Sequence, residues 1–164
     1  MPRRRPFKPA FTLLELVLVM VIICTALAIA APSLSGWARA SKMRDAAAQF
    51  IALTQFARTQ AVSTATVHRL QVDAAERTYY VLAQDGEAFA PLNTEMGRMF
   101  LLPPDFGLTM TDASGGGRDH IDFFPTGRTE PVRVQITTPD GDLTEIQCPS
   151  PTEAFRVLRP GEVQ

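Results

Sequence analysis

Two hydrophobic patterns divide the chain. Residues 16–31 form an uncharged apolar run in which Thr25 is the only strongly polar side chain. Farther on, the apolar positions thin to a stripe. Met43, Ala47, Phe50, Leu53, Ala57 and Ala61 follow one another in steps of three and four, and Lys42, Arg44, Asp45, Gln49, Thr54, Gln55, Arg58 and Gln60 lie on the other sides. That spacing describes one face of a helix. Together the two patterns predict one long helix over residues 11–62, about 78 Å at 1.5 Å per residue. Its first half is apolar all round and its second half amphipathic. Pro32 removes one backbone hydrogen bond and is expected to kink it.

After residue 63 the period drops to two. The stretches "TVHRLQV" (66–72) and "TYYVLAQ" (78–84) read as strands around the turn "DAAER", and "RMFLL" (98–102) is a third apolar patch before the break "PPDFG". The segment "DASGGGRD" (112–119) reads as a loop. Strands follow at "HIDFF" (120–124), "VRVQITT" (132–138), "LTEIQC" (143–148) and "AFRVLR" (154–159), with turns at "PTGR" and "PDGD". Asp-Gly supplies the positive dihedrals of a tight hairpin turn. One helix followed only by strands implies an α+β fold, the amphipathic half of the helix packed on a C-terminal antiparallel sheet.

Charge sharpens the picture at the N-terminus. Arg3, Arg4, Arg5 and Lys8 precede the apolar run, whereas residues 32–164 hold 12 Lys and Arg against 16 Asp and Glu, a net of −4. The basic leader favours an N-terminus on the cytoplasmic side. Three readings of the segment follow. A secretory signal peptide would be cut after Ala30, in the A-x-A context Ala28-Ile29-Ala30. A plain anchor fits too, since the 21 residues 11–31 span about 31 Å against a hydrocarbon core of about 30 Å. The third is processing at the head of the run. Glu15 separates them, because neither a signal peptide nor an anchor has a use for an acid there.

The stretch "KPA" followed by "FTLLELVLVMVII" resembles the class III signal of type IV prepilins and pseudopilins. That resemblance implies cleavage between Ala10 and Phe11 by a prepilin peptidase and methyltransferase, with N-methylation of Phe11. Counted from Phe11, Glu15 is the fifth residue and Pro32 the twenty-second, both positions the family favours. The family usually carries Gly before the cut; Ala10, the next smallest side chain, stands here. The resemblance also implies a division into a leader (1–10), a transmembrane and fibre-core helix (11–31) and a periplasmic pilin-like domain (32–164). Glu15 would serve assembly by facing the new amine of a neighbouring subunit. A charge buried among apolar helices without its partner is expensive, so this pairing would set the register.

Residues 121–148, with Phe123, Pro125 and Gly127, resemble the C-terminal region of GspH/FimT-type minor pseudopilins. The implied function is a structural subunit of the type II secretion pseudopilus, anchored in the bacterial inner membrane and assisting protein export. Its partners would be the major and other minor pseudopilins and an inner-membrane assembly platform. The alternatives are a FimT/FimU-like minor pilin in pilus assembly or DNA uptake, and a secreted protein.

Candidate chemistry changes little. The sequence shows no nucleophile elbow, P-loop, zinc motif or CxxC, so neither enzyme activity nor a cofactor or metal is expected. Asp119, His120 and Asp122 are close in sequence, but strand alternation is expected to point His120 away from Asp119, and the cluster lacks EF-hand spacing. Cys24 and Cys148 lie in such different settings that no disulfide is expected. Arg128, Arg133, Arg156 and Arg159 compose a candidate DNA patch, weak beside the acidic balance of the domain; Arg156 and Arg159 would face opposite sides of a strand.

Overall fold

The computed structural model describes residues 11–158; the side chains of residues 29–35 lie outside that description. Outside it as well are residues 1–10, the expected leader with Ala10, and the last six residues with Arg159. The chain divides into two compact units, one up to Ala40 and one from Ser41 onward.

Helix α1 spans Leu13–Thr64, within two residues of the expected bounds at each end. It is helical through position 32; the expected Pro32 kink falls among residues 29–35 and lies outside the description. In the first unit the apolar side chains are exposed on every side, Leu14 at 76%, Met20 at 64% and Ile22 at 57%. The Thr25 hydroxyl is satisfied inside the helix by the carbonyls of Val21 and Ile22, both at 2.9 Å. Among the described residues no helix is long and apolar enough to cross a membrane. The fully described apolar stretch of α1, residues 13–28, is shorter than the roughly 20 residues a span needs.

In the second unit the whole stripe is buried. Met43, Ala47, Phe50, Leu53, Ala57 and Ala61 all enter the core, joined by Ala46. Thr54 departs from expectation: it is buried, and its hydroxyl donates to the Ile51 carbonyl at 2.7 Å, which removes the cost of taking it inside.

The strands form two antiparallel sheets rather than one. Strands β1 (His68–Asp73), β2 (Thr78–Asp85), β3 (Ala88–Pro91), β4 (Phe100–Leu101) and β6 (His120–Phe123) make the first, in the order β3-β2-β1-β6 with β4 also on β2. Strands β5 (Gly107–Asp112), β7 (Val132–Thr137), β8 (Leu143–Cys148) and β9 (Arg156–Val157) make the second, in the order β5-β7-β8-β9. The sequence reading did not anticipate β3 or β5. Strand β5 buries Leu108 and Met110 and pairs with β7 from Gly107↔Thr137 to Asp112↔Val132, which starts the second sheet. Leu70, Val72, Val81, Ile121 and Phe123 of the first sheet share one core with Val132, Val134, Ile136 and Ile146 of the second. Phe50 of α1, Tyr79 of β2 and Phe100 of β4 make ring contacts in series, the first pair tilted with centroids 5.5 Å apart and the second stacked at 5.8 Å. The Tyr79 hydroxyl donates to Gln49 Oε1 at 2.9 Å, tying helix to sheet.

Three connections share one construction. In 112–116, 124–128 and 138–142 the first residue accepts from the fourth through its carbonyl, and its own N–H donates to the carbonyl of the fifth. The fourth is Gly115, Gly127 or Gly141, with φ of 84°, 75° and 89°. This is the three-residue hairpin loop closed by a left-handed glycine. The "PDGD" turn therefore differs from the tight Asp-Gly turn expected, since Gly141 alone carries a positive φ there.

Candidate assembly site

The helix start is built from four residues. Thr12 precedes α1, and its hydroxyl accepts from the Glu15 N–H at 3.2 Å. Its carbonyl accepts from the Leu16 N–H, also at 3.2 Å. Thr12 is thus the N-cap and Glu15 the third helical residue, with the spacing of a capping box but only its Thr half formed. An acid at that place also faces the positive end of the helix dipole. The sequence reading used Glu15 for assembly and missed this local role, although the spacing was visible. Among the described residues nothing pairs with the Glu15 carboxylate, which stands beside exposed Phe11, Leu14 and Leu18.

The candidate arginines are only partly brought together. Arg133 of β7 stands opposite Gln147 of β8, which stands opposite Arg156 of β9, so Arg133 and Arg156 share a face of the second sheet. Arg133 is committed to Glu145 at 2.8 Å. Arg128 sits apart, exposed in the 124–128 turn, and Arg159 lies outside the described residues. A row in which one of two described cations is already neutralised is a poor phosphate track.

The 119–122 cluster corrects one expectation. His120 does not turn away from Asp119: its Nδ1 lies 2.6 Å from Asp119 Oδ1. Asp119 precedes β6, so strict alternation does not govern it. The His120 hydrogen bond, with help from Gln71, holds the Asp119 carboxyl below its usual range. Asp122 turns instead to Arg69, which binds it through two hydrogen bonds of 2.7 and 2.9 Å and lies 4.0 Å over the Phe89 ring. The carboxylates are thus held apart by different partners, and among the described residues no group of three metal-binding side chains converges. Asp112 is likewise occupied, its Oδ1 accepting from the N–H groups of Ser114 and Gly116, which lowers its pKa.

His68 is buried, with Nδ1 3.1 Å from the Thr66 carbonyl. Cys148 is buried too; desolvation pushes its thiol up, and Sγ contacts the Ser150 and Glu153 carbonyls. Both read as core components.

What remains is an exposed apolar helix start with a carboxylate that has no partner among the described residues, and a helix stripe sealed on two antiparallel sheets. A family model described as "Type II transport protein GspH" matches residues 46–152, which is most of the globular unit. The chain belongs to the GspH family. Its fold is that of the minor pseudopilin EpsH from the type II secretion system of Vibrio cholerae. Two structures of that protein match with TM-scores of 0.64 and 0.65, at 13% and 14% identity, over 75% and 76% of this chain and 99% and 98% of EpsH. The type IV minor pilin FimU of Pseudomonas aeruginosa matches with a TM-score of 0.56, at 15% identity, over 73% of this chain and 90% of FimU. At such identities the likeness establishes the fold. No curated protein sequence matches the chain. This GspH-family chain is a structural subunit and not an enzyme.

Proposed function

We propose that the chain is a minor pseudopilin of a type II secretion pseudopilus, processed between Ala10 and Phe11 and methylated on Phe11. In this reading residues 11–31 anchor it in the inner membrane before it enters the fibre. Residues 32–164 occupy the periplasm, and the assembly platform and the other pseudopilins are its partners. The observation that carries the reading is Glu15. Its carboxylate lies on an exposed apolar helix surface with no partner among the described residues of its own chain. Apolar surface of that kind is driven to pack against lipid or other helices. Once it packs, the carboxylate needs a counter-charge from another molecule, and the amine of a processed neighbour supplies one. The description of the matching family and the EpsH likeness support the secretion setting. A type IV minor pilin is the second reading, supported by the likeness to FimU. A signal peptide cut after Ala30 would divide α1, which is continuous over Leu13–Thr64.

The test is co-purification from the native host of the tagged chain with its pilin-like partners. The wild type is expected to bring them down. Glu15→Ala is expected to lose them, because an amine buried without its counter-charge costs about 3–5 kcal/mol. A wild-type chain that associates with no pilin-like subunit contradicts the reading.

A further inference from the structure

The 124–128 turn carries a surface that the assembly helix does not use. Beneath it lies an open cleft of about 440 Å³, lined by Phe124, Pro125, Arg128, Glu130, Pro131 and Pro151 among others. Three features fit it for docking. Its wall is preformed: three of these residues are prolines, with fixed φ and no N–H, so ordering them costs little. Its floor is pinned by the buried Thr129, whose N–H donates to the Pro151 carbonyl and whose hydroxyl donates to the Asp122 carbonyl, both at 2.8 Å. Its rim presents one uncommitted charge. Glu130 is held by Arg118, whereas the guanidinium of exposed Arg128 has no partner among the described residues. Phe124 stays 38% exposed at the edge.

We propose that this cleft docks an extended segment of a neighbouring fibre subunit, which inserts one apolar side chain and pairs an adjacent carboxylate with Arg128. The inference rests on the fibre reading and names the partner chemistry for the globular unit. An apolar cavity of this size accommodates a large side chain, and the single cation at its rim selects an acid beside it. Nucleic acid fits less well, because it needs a track of cations and this rim offers one.

The test is site-specific photo-crosslinking of the full-length chain in its native host. Benzoylphenylalanine replaces Phe124 or, separately, Thr126 at the cleft, Met99 as an exposed position off the cleft, and Val17 on the apolar helix. The cleft positions are expected to form an adduct with a pilin-like subunit, about tenfold above Met99, the attached partner peptide carrying Asp or Glu beside an apolar residue. Arg128→Glu is expected to cut that adduct about tenfold, with Arg128→Lys retaining most of it. If Val17 forms adducts and neither cleft position does, the docking inference fails and the fibre reading stands. If Val17 forms none either, the fibre reading fails. Adducts with nucleic acid, or protein adducts unaffected by Arg128→Glu, overturn the inference.

Discussion

Ala65, the residue after α1, adopts φ 54°, a conformation that costs a residue with a Cβ about 1–2 kcal/mol. Helices commonly end on glycine for that reason. Ala65→Gly removes the strain but adds chain entropy to the unfolded state, so a net gain of about 0.5–1 kcal/mol in urea unfolding is expected. Gly97 is the opposite case. A Cβ there would sit 2.3 Å from the Leu92 carbonyl oxygen and 2.5 Å from Leu92 Cβ, so the backbone would have to move. Gly97→Ala is expected to cost about 1–3 kcal/mol. Gly107→Ala should cost less, since its near neighbour is the Thr137 hydroxyl at 2.4 Å, which a rotamer change can withdraw. Tyr79 gives a signature in pH. Burial pushes its hydroxyl from 10.0 up to about 12. Between those values the unfolded chain gives up its proton first, so stability falls as pH rises from 10 toward 12. Tyr79→Phe is expected to flatten that fall in pH-dependent denaturation while costing about 0.5–1.5 kcal/mol near neutrality. None of these features was legible in the sequence. A positive φ at Ala65, a close approach at Gly97 and the burial of Tyr79 all arise from tertiary placement that residue type does not reveal.

The elements were more legible, for reasons that differ between helix and strand. The stripe from Met43 to Ala61 was read position by position because burial of one helix face imposes a 3.6-residue period on many residues at once. Thr54 escaped that reading because its hydroxyl finds a partner within its own helix. Strand β7 alternates cleanly, and with β8 it flanks a Pro-Asp-Gly turn. Strand β5 alternates as well, but it follows two prolines and its partner β7 lies beyond β6 in sequence, so only long-range pairing reveals it. The division into two sheets was hidden with it. At the helix start two roles coincide on Glu15, and substitutions separate them. Glutamine keeps the length of the side chain and removes the charge, alanine removes both, and neither touches the bond from the Glu15 N–H to the Thr12 hydroxyl. The account predicts that Glu15→Gln fails in co-purification nearly as badly as Glu15→Ala. Thr12→Ala, which removes the cap at a cost of about 0.5–2 kcal/mol, is expected to associate almost normally. If instead Thr12→Ala fails and Glu15→Gln succeeds, the cap and not the charge governs assembly.

For the whole molecule, the helix stripe and both sheets close a single core within the unit from Ser41 onward. That unit, expressed without residues 1–40, is expected to unfold in one cooperative transition; separate transitions for the two sheets would contradict a shared core. The depressed pKa values of Asp112 and Asp119 set the direction of its acid response. Their contribution is complete above the ordinary carboxylate value of about 3.9 and is lost as pH falls below it. The central claim concerns the other end of the chain, where the proposed cut between Ala10 and Phe11 would fall just before the helix. Intact-mass and fragmentation analysis of the mature protein from its native host tests it most directly. The account predicts a chain that begins at methylated Phe11; one that begins at Ala31, or that keeps residues 1–10, would contradict it.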